Sequence, residues 1–140
     1  MRIREIMKRA PDLVTCAPAD SVMDAAKKME RHNVGCVLIT EGGGLKGILT
    51  DRDITLSVVA KGKVPGDTRV RDVMHTRVLT GGPDWDLLQA MQLMAEKKIR
   101  RLPIQSNGTL EGFVSLADLA PVVQKELDSF FAIEAAPAAH

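Results

Sequence analysis

The sequence predicts an α/β (α+β) fold in which two tandem β-α-β-β-α repeats pack sheet to sheet with pseudo-twofold symmetry. Three observations predict it: a length of 140 residues, an internal repeat offset by 65 residues, and helix and strand periodicities that recur in both copies. The length suits one compact unit, whereas a single copy of about 60 residues would be marginal alone. We therefore expect the two copies to share one folded unit.

The internal repeat runs without a gap for about forty residues. With an offset of 65, segment 13–18 falls on 78–83, and with an offset of 67, segment 3–7 falls on 70–74. Apolar positions coincide almost throughout, which chance similarity between two α/β stretches seldom produces. The repeat divides the chain into repeat 1 (1–62), a linker (63–69), repeat 2 (70–127) and a C-terminal tail (128–140).

Repeat 1 is predicted to open with a helical turn that carries Ile3, followed by a short strand at 13–15. A helix is predicted over 21–32, because its apolar positions have helical spacing and the residues before it favour a helix start. Either Asp20 or Ser21 can serve as the N-cap.

The rest of repeat 1 is predicted to be two strands, joined by a glycine-rich turn, and a final helix. Segments 35–39 and 45–49 are short apolar runs bounded by turn residues, which is typical of buried strands. A helix is predicted over 51–60. Repeat 2 has the same order, with a strand at 78–80, a helix over 87–98, strands at 102–104 and 110–114, and a helix over 116–127.

The segment 42–47, Gly-Gly-Gly-Leu-Lys-Gly, matches the G-x-G-x-x-G pattern of dinucleotide-binding folds. That fingerprint requires the glycines to open a helix, whose N-terminus then holds a pyrophosphate. Here a predicted strand follows them directly. We therefore interpret the glycines as a hairpin turn.

Composition argues against several function classes. The formal net charge is +1 and aromatic residues make up only 3% of the chain, which disfavours nucleic-acid binding. Cys16 and Cys36 form no C-x-x-C pair and the three histidines are scattered, so neither a zinc site nor a catalytic metal is expected. No apolar run is long enough for a transmembrane helix or a secretory signal, which predicts a cytoplasmic protein without membrane contact.

Two matching motifs stand where a predicted strand meets a predicted helix. Thr50 is followed three residues later by Asp53, and Ser115 by Asp118. One interpretation is a capping box, in which hydroxyl and carboxylate satisfy backbone N–H groups. The other is a ligand site, in which the short carboxylate accepts ribose hydroxyls while the helix N-terminus takes a phosphate. The two interpretations carry even weight.

A basic cluster precedes the buried strand of repeat 2. The lysines at 97–98 suit the C-terminus of a helix. Arg100 and Arg101 enter the strand at positions where repeat 1 has Gly35 and Cys36. Guanidinium groups at the mouth of a core indicate an anion, most simply a phosphate.

The chain resembles a cystathionine-β-synthase (CBS) domain pair, also called a Bateman module, over about residues 1–127, and it is similar to the small stand-alone bacterial members. The resemblance implies two equivalent clefts that bind adenosine-containing ligands, each cleft mixing elements of both repeats. The motifs that carry it are 6–7 and 73–74, 32–35, 99–103, 47–53, and 112–118.

The family's binding positions transfer to this chain residue by residue. The ligand class is AMP, ADP, ATP, NAD or S-adenosylmethionine, and no catalytic cofactor is implied. Because one cleft has two arginines where the other has Gly35 and Cys36, we expect a phosphorylated ligand to prefer the cleft of Thr50 and Asp53. That cleft is predicted to contain Thr50, Arg52, Asp53, Leu79, Ile99, Arg100 and Arg101; the other is predicted to contain Val14, Val34, Gly35, Cys36, Ser115 and Asp118, bordered by Met7 and Lys8.

The implied function is a non-catalytic, adenine-nucleotide-binding energy or metabolite sensor in signal transduction, which forms a homodimer through its helices and acts on a protein partner. The alternative is a ligand-free protein–protein interaction or dimerisation module. Catalysis is disfavoured because repeat 2 keeps only Asp118 of the charged trio at 51–53. The tail with Phe130 and Phe131 either packs on the dimer or is mobile, and 135–140 are expected to be disordered.

Overall fold

The computed structural model describes residues 1–137 and 139, and within them the chain forms a mixed α+β fold with two three-stranded sheets and four α-helices. The predicted fold class is confirmed. Residues 138 and 140, which belong to the segment expected to be disordered, lie outside the described residues. The elements are β1 (Lys8–Arg9), β2 (Thr15–Cys16), α1 (Val22–His32), β3 (Cys36–Glu41), β4 (Gly44–Thr50), α2 (Asp51–Ile54), α3 (Leu87–Lys97), β5 (Arg101–Ser106), β6 (Thr109–Ser115) and α4 (Leu116–Ala135).

One sheet has the strand order β2-β3-β4 and the other the order β1-β6-β5. In each sheet two long strands form an antiparallel hairpin, while β2 runs parallel to β3. Gly42 and Gly43 form the turn of the first hairpin with φ of 60° and 79°, a backbone region that glycine adopts without strain. The glycine-rich segment is therefore a hairpin turn, as predicted.

The leading segment of each repeat, 1–9 in repeat 1 and 70–75 in repeat 2, packs against the other repeat. Ile3 is fully buried in the core that α3, β5 and β6 form, and β1 pairs with β6. Val70 is fully buried in the core of α1, β3 and β4, and His75 forms a bridge with Ile48 on β4. Each core therefore contains a segment that belongs, in sequence, to the other repeat.

The crossed segments approach the strands closely. A side chain on Gly112 would place its Cβ 2.8 Å from the Lys8 carbonyl oxygen, and one on Gly47 would lie 2.7 Å from the His75 carbonyl oxygen. Only glycine leaves room for the backbone there. Both glycines belong to the motifs that the sequence repeats.

Each half buries its own apolar cluster, and the sheets meet through β4 and β6. The hairpin turns also touch, since the Leu110 N–H donates to the Gly43 carbonyl at 3.0 Å. One cluster is Ile3, Leu87, Ala90, Met94, Leu102, Ile104, Val114 and Leu119; the other is Cys16, Ala25, Met29, Val37, Ile39, Leu49 and Val70.

Of the two short strands predicted at equivalent positions, one begins later than expected and the other is not formed. The strand predicted at 13–15 is β2, which begins at Thr15. Its counterpart at 78–80 is wrong: Gly81 forms only a single bridge with Ile104. Gly82 and Pro83 follow at once, and neither residue favours a continued ladder.

Two predicted helices also differ at their ends. Helix 51–60 is α2 followed by a π-helical turn over Thr55–Val59. The helix predicted to stop at residue 127 continues to Ala135, because residues 122–135 contain neither glycine nor proline and Pro137 follows them. Phe130 and Phe131 therefore lie on an exposed helix instead of in an irregular tail.

Candidate functional site

Two clefts lie where the paired hairpins meet the helix starts, and equivalent segments of the two repeats line them. The Thr50 cleft encloses about 420 Å³ and the Ser115 cleft about 340 Å³, volumes that are typical of small-molecule sites. The Thr50 cleft is lined by Ile48, Thr50, His75, Arg77, Val78, Leu79, Lys98, Ile99, Arg100, Arg101 and Pro103. The Ser115 cleft is lined by Lys8, Asp12, Leu13, Val14, Asn33, Val34, Gly35, Cys36, Leu38, Arg101, Phe113, Ser115, Ala117 and Asp118.

The Thr/Ser-x-x-Asp motifs form capping boxes at both helix starts. The Asp53 N–H donates to Thr50 Oγ1 at 3.1 Å, and the Thr50 N–H donates to Asp53 Oδ2 at 2.9 Å. The equivalent distances for Ser115 and Asp118 are 3.2 and 3.0 Å. The capping interpretation is thus confirmed, and in each motif the second carboxylate oxygen, Oδ1, takes no part in the cap.

The Oδ1 atoms differ between the clefts. Asp53 Oδ1 lies 2.7 Å from His75 Nε2, and the Asp53 side chain is only 14% exposed. His75 stands at the position of Lys8 when the offset of 67 is extended by one residue. No ion pair within 4 Å joins Lys8 to Asp118 in the described part of the chain. Sequence reasoning missed His75, although extending this offset would have found it.

Arg101 lies between the clefts and lines both of them. Its guanidinium Nη2 is 3.2 Å from the place where a Cβ on Gly35 would stand, so the missing side chain makes room for the arginine. The sequence placed Arg101 in the Thr50 cleft alone, and that assignment is too narrow. Only Arg100 of the two arginines distinguishes the clefts.

Further cations surround the Thr50 cleft. Arg77, Lys98 and Arg100 line it, whereas the residues at the matching positions of the Ser115 cleft are Asp12, Asn33 and Gly35. With the offset of 65, position 77 matches 12, position 98 matches 33, and position 100 matches 35. Lys98 was predicted only as part of a helix end. It is the C-cap of α3, with φ of 54°, and it also lines the cleft.

Most of the residues predicted from the sequence do come together. Arg52 is exposed and lines neither cleft. Asp53 meets the Thr50 cleft only through its bonds to Thr50 and His75, and Met7 packs against Gly112. The predicted residues that line a cleft are Lys8, Val14, Val34, Gly35, Cys36, Ser115 and Asp118 in one, and Thr50, Leu79, Ile99, Arg100 and Arg101 in the other.

Cys36 is the thiol that lines the Ser115 cleft. Burial raises its pKa; the Arg101 guanidinium lowers this pKa and the Asp51 carboxylate raises it further. The net increase keeps the thiol protonated at neutral pH, so Cys36 contributes an apolar surface to the cleft.

Among residues 1–137 and 139, no group of three or more His, Cys, Asp or Glu could hold a metal ion. Within the same residues, no helix combines the length and the hydrophobicity that a membrane span requires.

Comparison with known proteins agrees with this geometry. A family model for the CBS domain matches residues 3–60 and 70–125. The chain belongs to the CBS domain family. It is 46% identical over 108 residues to the CBS domain-containing protein YhcV of Bacillus subtilis, a match that covers 77% of this chain and 76% of YhcV. The chain spans 61% of the length of the similar uncharacterized protein MK0525 of Methanopyrus kandleri, and 56% of the length of the similar CBS domain-containing protein CBSX3 of Arabidopsis thaliana.

Solved CBS structures share the fold. A signal-transduction protein with CBS domains from Burkholderia ambifaria superposes with a TM-score of 0.77 at 32% identity, covering 88% of this chain and 93% of that one. The hexameric CBS-CP12 protein from bloom-forming cyanobacteria superposes with a TM-score of 0.72 at 28% identity, covering 86% of this chain and 66% of that one. The chain therefore has the fold of a CBS domain pair.

Proposed function

We propose that this CBS pair is a regulatory module that binds an adenine nucleotide of the AMP, ADP, ATP or NAD class and performs no catalysis. One observation carries the proposal: each cleft combines a capped helix start, a carboxylate oxygen outside the cap, and branched aliphatic side chains on the opposite wall. Val14 and Val34 form that wall in the Ser115 cleft, and Leu79 and Ile99 form it in the Thr50 cleft.

Each part of the cleft suits one part of an adenosine nucleotide. The adenine ring packs between the aliphatic side chains, since the clefts offer little aromatic surface for stacking. The Oδ1 atoms of Asp53 and Asp118 accept hydrogen bonds from ribose hydroxyls. Phosphates lie toward the helix N-terminus and Arg101, where charge-assisted hydrogen bonds form. In the Thr50 cleft the ribose displaces His75 from Asp53.

The regulatory output requires a shape that differs between the free and bound states, because a ligand shifts an equilibrium only through different affinity for two states. We propose that the chain forms a homodimer through its helices and that a protein partner senses the dimer's shape. Apolar side chains available for the dimer interface are Met23, Leu56, Val59, Leu88, Leu116, Leu127, Phe130, Phe131 and Ile133, all of which are exposed in the single chain.

Calorimetric titration of the purified chain tests the nucleotide proposal. AMP, ADP, ATP, NAD and S-adenosylmethionine are titrated separately into protein stripped of bound nucleotide. We expect micromolar binding of at least one ligand and weaker binding in Asp53→Ala or Asp118→Ala. Asp24→Ala is the matched control, because Asp24 is also the third residue of a helix but lies outside both clefts.

A ligand-free interaction module is the second candidate function. The apolar face of α4 favours it, because Phe130, Phe131 and Ile133 are each at least 60% exposed and such faces are typical of interaction sites. Absence of heat with every nucleotide, from protein that is folded and dimeric by sedimentation, would replace the first candidate with this one.

A further inference from the structure

We propose that the two clefts sort ligands by phosphate number: the Thr50 cleft is a polyphosphate site, and the Ser115 cleft takes a ligand with one phosphate or none. This inference rests on the proposed nucleotide binding and adds the chemical class for each cleft. It follows from charge differences at structurally equivalent positions.

Three cations line the Thr50 cleft beside the shared Arg101. Arg77 and Leu79 stand on the same short segment, while Lys98 and Arg100 frame Ile99 just before β5. The backbone of Arg100 is fixed, because its carbonyl accepts a hydrogen bond from the Leu116 N–H at 2.9 Å. The cations thus come from two separate segments that converge on one cavity.

Among the described residues, no carboxylate lies within ion-pair distance of these three cations. Within the described residues, the ion pairs closer than 4 Å involve Met1, Arg4 and His75, not Arg77, Lys98 or Arg100. All three side chains are exposed, so their mutual repulsion is weakened by solvent but not removed. A ligand with several negative charges relieves that repulsion and gains charge-assisted hydrogen bonds.

The Ser115 cleft has no positive charge at the same three positions. Asp12 replaces Arg77, and Gly35 replaces Arg100. Lys8 and Arg101 supply positive charge that the carboxylates of Asp12 and Asp118 balance. Lys8 and Arg101 together suit one phosphate, whereas each added phosphate brings more negative charge beside Asp12 and finds no third cation among the described lining residues.

The expected discrimination is large. One charge-assisted hydrogen bond corresponds to about a tenfold or larger change in affinity. ATP presents two more phosphates than AMP, so we expect ATP to bind the Thr50 cleft about tenfold more tightly than AMP. In the Ser115 cleft we expect ATP to bind no more tightly than AMP.

The test is a two-dimensional amide NMR titration of the full chain with AMP and, separately, ATP. The amide of Leu79 reports on the Thr50 cleft and that of Gly35 on the Ser115 cleft. In the wild type, ATP should shift Leu79 at about tenfold lower concentration than AMP, while Gly35 should respond to AMP at least as readily as to ATP. Equal AMP-to-ATP ratios at both amides would overturn the proposal.

A charge exchange sharpens the test. The double variant Asp12→Arg/Arg77→Asp keeps the net charge and changes two exposed, equivalent positions. We expect the preference of ATP for the Thr50 cleft to vanish or reverse in it. The control Lys125→Glu/Glu126→Lys exchanges charges on α4, outside both clefts, and should leave the preference intact. An unchanged preference in the first variant would refute the inference.

Inorganic tripolyphosphate separates this inference from the proposed function. If neither nucleotide shifts any amide of the folded chain, nucleotide binding fails as the function. Tripolyphosphate that then shifts Leu79 but not Gly35 would still support the polyphosphate site. Tripolyphosphate without effect on Leu79 would refute it.

Discussion

The Thr50 cleft and the Ser115 cleft share a backbone design and differ in the side chains that line them. Both stand at a capped helix start, both face aliphatic side chains, and both touch Arg101. They differ at positions 77 and 12, 98 and 33, and 100 and 35. The parts that hold the fold together therefore follow the repeat symmetry, while the charges that line the clefts do not.

The largest effect is expected from substitutions in the leading segments, each of which packs in the core of the other repeat. Their effect on the free energy of unfolding tests whether the two halves are built alike. Ile3→Ala should lower the free energy of unfolding by about 2–5 kcal/mol, since it leaves a cavity in a fully buried site. Val70→Ala should cost at least about 1.5 kcal/mol for the same reason. Urea unfolding measures both, with the exposed Val64→Ala as control. A change in the Ile3 variant as small as that of the control would show that the N-terminal segment is not docked.

Substitution of Arg101 tests whether this residue serves both clefts, since it lines both of them. Arg101→Met keeps most of the side-chain length and removes the charge, so phosphorylated ligands should lose about tenfold or more in affinity at both clefts. Arg100→Met should weaken the Thr50 cleft alone. Nucleotide titrations followed at the amides of Leu79 and Gly35 separate the two effects. Loss confined to one cleft in Arg101→Met would contradict the shared position.

The two capping boxes are expected to contribute equally to stability, and substitutions of their N-cap residues test this. Thr50→Ala and Ser115→Ala each remove the hydroxyl that accepts an N–H bond at the helix start, which should cost about 1 kcal/mol of folding free energy. Ser21→Ala, which uncaps α1 away from both clefts, sets the scale. If the losses of folding free energy in Thr50→Ala and Ser115→Ala differ from each other by more than the whole loss in Ser21→Ala, the two caps are not equivalent.

Cys36 gives the smallest expected effect and reports on one cleft only. Because its pKa is raised above the ordinary thiol value, little thiolate is present at pH 7, and reaction with a disulfide reagent should be slow there and accelerate as the pH rises. Bound AMP should slow the reaction further, since Cys36 lines the Ser115 cleft. Fast reaction at pH 7, with no protection by AMP, would place Cys36 outside a ligand site. Cys16 is buried, also has a raised pKa, and should react more slowly still.

Much of the fold could be predicted because the repeat records it twice. The offset of 65 aligns both hairpins and both helix starts, and apolar periodicity identifies the strands between them. The crossing of the leading segments could not be predicted from the apolar pattern, because that pattern predicts that Ile3 and Val70 are buried but not which of the two cores buries each of them. The length of α4 was also missed, because the repeat ends before Phe130 and offers no second copy for comparison.

Site residues that belong to a repeated motif were predicted from the sequence, whereas charged residues outside such a motif, such as Arg77 and Asp12, were missed. Thr50, Asp53, Ser115 and Asp118 belong to a recurring pattern. Arg77 and Asp12 do not, although the same offset pairs them. His75 lies one residue beyond the segment that the offset of 67 aligns, and its contact with Asp53 depends on the crossed segment. Of the side chains that distinguish the clefts, Arg100 was predicted from its place at the start of a buried strand, whereas Arg77 and Asp12 gave no comparable signal.

A crystal structure of the chain grown with ATP tests the central claim most directly. Our account predicts the triphosphate in the Thr50 cleft, against Arg77 and Arg100, with the ribose at Asp53 in place of His75. A triphosphate bound in the Ser115 cleft beside Asp12, with the Thr50 cleft empty, would contradict it.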